Sequence, residues 1–446
     1  MRITTKVRCA FGVTTALAFT LSVAGCSGSD EGGAKDDPNA KVTITFWHGW
    51  SAPNEVKAIQ ANVATFEKAN PNVHVNVVGN ITDDKINQAL RAGGPKAPDV
   101  VSSFTTDNVG QLCSSKAFID LAPFLKKSNV DPKTTFTATQ LEYTQFKGVQ
   151  CSLPLLGDAY GLYYNKTMFA KAGITRPPRT LSEFDAAAVK LTKSNGTGYS
   201  QLGFMPNYHG YESTTTHFNA QWSPKYFDSN GKSSIATDPG IKASFLWQKG
   251  LVDKLGGYAK LEKYRTTFGD EFGSKNPFMT GQVAMAIDGE WRAGMIDDSH
   301  NGLQYGVAPF PVPDDQAAQY GKGYVSGTII GIARTSSKQN AAWRFVKYLT
   351  TDTKAVVDFA NAIHNVPSTQ AALASPDVNQ NPAFQTFIKI ASNPHSVTTP
   401  ASPNGGTYQL TLQDVGYAYE SGKLTDLPQG LGKAAKQIDT DIAQAR

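Results

Sequence analysis

From Lys41 onward the chain alternates short segments that repeat every two residues with longer ones that repeat at helical spacing, and this alternation restricts the fold more than any single motif does. Val42, Ile44 and Phe46 share one face of a short strand, while Val56, Ile59, Val63 and Phe66 recur at helical spacing until Asn70-Pro71 stops them. Val73, Val75 and Val77 alternate again. Asp83 to Ala92 reads as a helix with Ile86, Ala89 and Leu90 inward, Gly93-Gly94-Pro95 closes it, and Asp99 to Ser103 is the next strand. A β-α-β-α-β succession predicts a parallel sheet covered by helices. The pattern continues with a strand at Tyr160 to Tyr164. Thr180-Leu181-Ser182-Glu183 reads as a capping box for a helix through Phe184, Ala188 and Leu191. Asp238-Pro239 opens a helix that carries Ile241, Phe245, Val252 and Leu255 inward and ends at Gly256-Gly257. Val283 to Asp288, Tyr305 to Ala308 and Thr328 to Ala333 read as strands, and Asn340 to Leu349 as a helix. No short-period repeat is present, and at ~100 to 200 residues per domain the body has room for two or three domains.

The first 40 residues are different in kind. Met1 to Arg8 are basic, Cys9 to Gly25 are apolar and small, and Leu21-Ser22-Val23-Ala24-Gly25-Cys26 sets small residues directly before a cysteine. This is an export signal, and it resembles the bacterial lipoprotein signal, with residues 1–25 removed and Cys26 lipidated as the first mature residue. The alternative is an uncleaved anchor helix, which the short stretch and its Gly12, Thr14 and Thr15 disfavour. Residues 26–40 then form a lipid-anchored tether, because a Gly, Ser, Asp and Lys stretch has too little apolar surface to order itself. Both readings put the body outside the cytoplasm, and the lipid reading puts it on the outer face of the cell membrane. With Cys9 removed and Cys26 modified, Cys113 and Cys151 remain as a pair in an oxidising compartment, where a disulfide is expected; two buried free thiols are the alternative.

Composition narrows the partner. Of 446 residues 40% are hydrophobic and 18% charged, with 42 Lys and Arg against 37 Asp and Glu, and three of those cations are Arg2, Lys6 and Arg8. So nearly balanced a charge, with no dense basic cluster, argues against nucleic acid as a partner and points to a small, mostly uncharged ligand. Enzyme signatures fail on inspection. In Gly323-Tyr324-Val325-Ser326-Gly327 the serine stands one place late for a nucleophile elbow. The seven histidines lack metal-ligand spacing, and the glycines around Lys232 and Lys322 do not complete a phosphate loop, so neither metal nor cofactor is expected. Asp288 and Glu290, two residues apart at a strand end, could serve as an acid/base pair for glycoside cleavage, or form a turn in which one carboxylate caps a helix. Trp47-His48-Gly49-Trp50-Ser51 follows the first strand, where open α/β sheets place their ligand crevice. The Trp47 indole suits the apolar face of a sugar ring or, alternatively, the core, and Ser51 reads as the cap of the following helix.

The run Val42 to Val78, with Phe46-Trp47-His48, Phe66-Glu67-Lys68 and Asn70-Pro71, resembles the start of the family 1 extracellular solute-binding proteins, the sugar receptors of ABC importers. Further stretches match in order: Pro98-Asp99-Val100-Val101; Leu153-Pro154 followed by Tyr163-Tyr164-Asn165-Lys166; Gly281-Gln282-Val283-Ala284-Met285 through Gly289-Glu290-Trp291; Tyr305-Gly306-Val307-Ala308 with Pro309 and Pro311; and Ala341-Ala342-Trp343 through Leu349. The resemblance implies an α/β, type II periplasmic-binding-protein-like fold of two discontinuous lobes joined by a hinge. By analogy one lobe is 41–157 plus 306–352 and the other 158–305 plus 353–446. It implies a monomer that holds a mono- or oligosaccharide between the lobes and delivers it to ABC permease subunits, with no bond made or broken. Carried over motif by motif, the binding residues are Trp47 and His48; Ser103, Phe104, Thr105 and Asp107; Asp158 in the crossover; Tyr208 and His209; Trp291 as a stacking aromatic; Gly323 and Tyr324; and Tyr408. Arg292 would suit an anionic sugar or else face solvent. The competing readings are a secreted glycoside hydrolase using Asp288 and Glu290, and an adhesion or sensor module whose ligand is a protein.

Overall fold

The computed structural model describes residues 40–94, 97–206 and 212–445. The signal, the Cys26 lipidation site and most of the tether lie outside them, as do Tyr208 and His209. None of the described helices is long and apolar enough to cross a membrane.

β1 (Val42–Trp47) lies between two parallel neighbours, β2 (Val73–Val78) and β3 (Val100–Ser103), so both its edges are paired. Its inward residues Ile44 and Phe46 are fully buried, each contributing roughly 1.5 to 3 kcal/mol against exposure. Between β1 and β2 runs α1 (Pro53–Ala69), with Pro at its start and Ile59, Val63 and Phe66 against the sheet. Ser51 does not cap it. The Glu55 carboxylate does, accepting from the backbone N–H of Ser51 at 3.1 Å and Ala52 at 2.9 Å, because a carboxylate can satisfy two of the orphan donors at a helix start. α2 (Asp83–Ala92) is capped by Thr82 and precedes β3; α3 (Asn108–Ser114) follows it.

β4 (Leu153–Asn165) is the longest strand, and its pairing changes along its length. From Leu153 to Ala159 it pairs with β7 (Val325–Ile332), which itself lies antiparallel to β3. From Tyr160 to Asn165 it is flanked instead by β5 (Met285–Gly289) and β6 (Tyr305–Ala308). β8 (Val366–Pro367) pairs with β4 at Gly157 and Leu156. The first sheet therefore runs β8–β4–β7–β3–β1–β2 and is mixed, not wholly parallel as the alternation predicts.

Two cores sit on either side of this change. One gathers Phe46, Ile59 and Phe66 with Phe345 of α7 (Gln339–Thr351) and with Phe359, Ala360 and Ile363 of α8 (Thr353–Ile363). The other gathers Tyr163, Phe184, Phe204, Phe310 and Val283 with Phe387 of α9 (Pro382–Ser392). Phe184 belongs to the helix Leu181–Leu191; Thr180 caps it, but Glu183 reaches Arg176 and the Arg179 N–H, so the reciprocal half of the expected capping box is absent. A further core joins Ile241 and Phe245 of the helix Pro239–Lys254 to Tyr408 and Leu412 of α10 (Thr407–Glu420) and Leu431 and Ile438 of α11 (Leu427–Gln444). Cys113 and Cys151 form a disulfide, with Cα atoms 5.6 Å apart, tying α3 to the segment that leads into β4.

Phe310 and Tyr324 pack in the second core and Phe359 in the first.

Candidate functional site

Where β4 changes sheets, aromatic side chains converge. The Tyr160 ring lies 4.0 Å from that of His217, 5.5 Å from Tyr324 and, edge-on, 5.6 Å from Trp291; His217 and Tyr324 are 4.7 Å apart. Tyr160 stands at the first position after the switch, and His217 on the short helix Thr215–Asn219. Trp291 opens α6 (Trp291–Ser299), and its indole folds back over Gly289, where any Cβ would collide with the ring. Trp291 is partly exposed, whereas Tyr324 is buried and its hydroxyl shares a 2.9 Å hydrogen bond with Thr399. His217 is neutral, because burial lowers its pKa to about 4, and its Nδ1 bonds the carbonyl of Glu212, whose own carboxylate stands 3.7 Å away. Burial pushes Glu212 well above the carboxylate range.

The loop after β3 brings the Asp107 charge within reach of Tyr324. After β3, the Ser103 hydroxyl accepts from the Thr105 N–H at 3.1 Å and from Asn108 Nδ2 at 3.3 Å, shaping the turn that presents Phe104 and Thr105. Phe104 is 48% exposed, unusual for a phenylalanine, and meets Trp50 edge-on at 5.4 Å. Asp107, at the start of α3, accepts from Gln409 on α10; the absence of a side chain at Gly406 admits this contact, since a Cβ there would stand 2.6 Å from the Asp107 carboxyl carbon. Burial raises the Asp107 pKa to about 6, with Gln409 opposing the shift, and the Asp107 charge in turn raises the Tyr324 hydroxyl.

The remaining expected residues fall differently. Trp47 is partly buried and packs, like Ile81, on the core that contains the disulfide. His48 is 1% exposed, wedged between Phe46 and Trp50 with ring distances of 5.5 and 5.4 Å, and burial holds it neutral with a pKa of about 4. It lines the core, not a cleft. Gly323 is packed against Ile390 and the Tyr160 carbonyl and donates its N–H to Ser396, leaving no surface for a ligand. Tyr408 is 1% exposed; its ring packs edge-on to Tyr226 and Phe227 and its hydroxyl donates to the Pro400 carbonyl at 2.9 Å. Its surroundings are those of a core residue. Asp158 stands at the switch of β4, where Oδ1 accepts from Asn365 at 2.7 Å.

Asp288 and Glu290 are taken up by different partners. Asp288 Oδ2 accepts from Arg292 Nε at 2.6 Å and Oδ1 from the Gly289 N–H, while Glu290 accepts from the Ala159 N–H at 3.0 Å, so each is consumed by its own neighbours. Arg292 is 1% exposed and thus neither solvated nor offered to an anion. Among the described residues no cluster of His, Cys, Asp and Glu is placed to hold a metal. The structure adds Tyr160, Glu212, His217 and Gln409 to the surroundings of these residues, and Trp50 from the quoted Trp47–Ser51 motif packs on Phe104. Trp50 and Tyr160 lie inside segments read from the sequence, but nothing in a single chain reports contacts between positions 160 and 217 or 107 and 409.

Two α/β bodies threaded by shared strands, with aromatic rings and carboxyls gathered where they meet, define a two-lobed ligand-binding fold. The chain belongs to the bacterial extracellular solute-binding protein family, whose model matches residues 52–356. It is 22% identical over 370 residues to the maltotriose-binding protein of Pyrococcus abyssi, covering 81% of this chain and 74% of that one. It is 23% identical over 386 residues to the multiple sugar-binding protein of Streptococcus mutans, covering 83% and 84%. Among solved structures, mannotriose-bound CpMnBP1 superposes with a TM-score of 0.75 at 25% identity, covering 91% of this chain and 100% of that one. The cyclic maltosyl-maltose binding protein of Arthrobacter globiformis, at 19% identity and a TM-score of 0.75, shares the fold over 91% of this chain and 100% of its own.

Proposed function

We propose that this protein is the substrate-binding component of a carbohydrate ABC importer, which captures a sugar or oligosaccharide between its lobes and delivers it unaltered to a membrane permease. The observation that carries the reading is the aromatic group Tyr160, His217, Tyr324 and Trp291 beside the carboxyls of Asp107 and Glu212. Flat rings stack on the apolar faces of sugars, and carboxyls accept hydrogen bonds from hydroxyls more strongly than neutral groups do. Relatives named for maltotriose, multiple sugars and mannotriose support the ligand class. In this reading Trp291 and Phe104 are stacking faces, Trp47 and Thr105 border the cleft, and Ser103 shapes it. The lobes are 41–158 plus 325–364 and 159–324 plus 365–446, limits chosen by core membership and by the pairing switch in β4. Sugar held by both lobes favours the closed form of an open-closed equilibrium, and closure is what the permease reads. The body works as a monomer outside the cytoplasm, held to the outer face of the cell membrane by a lipid on Cys26 and the tether that follows.

A thermal-shift screen against mono- and oligosaccharides, mannotriose and maltotriose among them, tests the reading. A sugar present at a hundred times its dissociation constant should stabilise the protein by about 2.7 kcal/mol. No shift with any sugar, or release of sugar fragments from an oligosaccharide, would overturn it.

A further inference from the structure

We propose that Glu290, Asp158 and Asn365 form the pivot of this protein: a carboxyl pair that ties the chain crossings together while it shares one proton and loosens them when that proton is lost to solvent. The proposal rests on the reading of the protein as a receptor that works by closing.

Glu290 is fully buried, directly after β5. Its Oε2 accepts from the Ala159 N–H at 3.0 Å, and its Oε1 accepts from Asn365 Nδ2 at 3.0 Å and from the Val366 N–H at 3.4 Å. These donors are not scattered. Ala159 is the last residue of β4 paired to the first sheet, and Asn365 and Val366 lie where the chain leaves α8, in one core, for α9, in the other. One side chain thus holds two crossings at once.

The second carboxyl enters through the same amide. Asn365 Nδ2 also donates to Asp158 Oδ1 at 2.7 Å, so a single nitrogen separates the two acids. The groups that face them offer no compensating charge. Tyr143, at the end of the short helix Ala138–Glu142, brings a buried hydroxyl with no partner. From β4, Tyr163 donates its hydroxyl to the Gly289 carbonyl at 2.8 Å and Tyr160 joins the aromatic group; from β7, Ser326 lies opposite Asp158. Behind them Arg292 is engaged with Asp288 at 2.6 Å, and His364, beside Asn365, packs over Gly294. Two carboxylates this close, Glu290 fully buried and Asp158 partly so, with the nearby cation already paired, do not both ionise at neutral pH. Burial lifts Asp158 to about 7, with Asn365 opposing, and lifts Glu290 well above the carboxylate range, the charge of Asp158 adding to the effect.

With one proton between them the acids stay together and both crossings are held. When the proton leaves, two like charges press apart at the point where β4 passes between sheets, and the Asn365 turn moves with them.

The test compares the unmodified protein with D158N, E290Q and N365A by small-angle scattering of the ligand-free form from about pH 5.5 to about pH 9. Titration with the tightest-binding sugar of a panel containing mannotriose and maltotriose runs in parallel. The radius of gyration of the unmodified protein should grow on the alkaline side of neutrality, where the pair gives up its remaining proton, and sugar affinity should fall by up to about tenfold per pH unit there, the limit for one linked proton. Both profiles should flatten in D158N and E290Q, which cannot build the second charge, and N365A should shift them. A radius that stays constant across the range while sugar still binds overturns the pivot and leaves the receptor. A radius that changes equally in every folded variant also overturns it. A radius that changes as described in a protein that binds no sugar leaves the pivot and removes the receptor.

Discussion

Trp291 is the residue on which the candidate site leans most. It is partly exposed, it starts a helix, and its ring lies over a glycine at the edge of the second core. Trp291→Ala is expected to weaken sugar binding at least about tenfold, or ~1.4 kcal/mol, with the melting temperature of the empty protein nearly unchanged; titration calorimetry and a melting curve decide it, and unchanged affinity would take Trp291 out of the site. Asp158 and Glu290 also mark the stability curve. Carboxyls whose folded pKa is raised favour the folded state most below their ordinary pKa near 4 and lose that contribution as pH rises through the folded value, here about 7 for Asp158. Urea midpoints should therefore fall between mild acid and neutrality, and D158N should fall less; equal slopes would exclude this pair as the source. Of these residues, Trp291 and Asp158 could be singled out in the sequence because each sits inside a recognisable local string. The roles of Glu290 and Asn365 could not, since 75 positions separate them and their meaning lies in a shared hydrogen bond.

At the scale of elements, helix limits read well where a cap announces them. Asp238 accepts from the Ile241 N–H at 3.0 Å just before Pro239, as the sequence suggests, and Thr82 and Thr180 serve their helices in the same way. Strand direction did not read. Val325 to Ile332 is buried along almost its whole length, and a run buried on both faces has no alternation from which to infer whether it lies parallel or antiparallel. The element most open to test is α3. The disulfide holds its C-terminal turn, Asp107 at its start reaches α10, and a Cβ on Gly110 would collide with the backbone of Ser402. Gly110→Ala is expected to cost about 1 to 3 kcal/mol, as overpacking does, and to disturb the Asp107–Gln409 contact; a stability loss below that range would mean the segment around Ser402 yields freely. Reduction of Cys113–Cys151, which closes a separation of 38 residues, is expected to cost up to about 4 kcal/mol in the chain-entropy model, read from denaturation with and without reductant.

For the molecule as a whole, two lobes were foreseeable from the order of weak motifs. Tyr324, between Gly323 and Val325, and Phe359, between Asp358 and Ala360, carry no sign of their side in the sequence, and packing puts them in different cores. At this scale the expected behaviour is ligand-driven compaction: saturating sugar should reduce the radius of gyration, and a radius indifferent to bound sugar would contradict transport by closure.

The double membership of β4 carries one more consequence. A gene cut within Leu153–Asn165 would yield an N-terminal fragment that lacks β7, the strand between β3 and β4 in the first sheet, and a C-terminal fragment that carries β7 without β3. Both would expose raw strand edges, which invite aggregation. Neither fragment would hold a complete first sheet, so the two are expected to fold only as one piece.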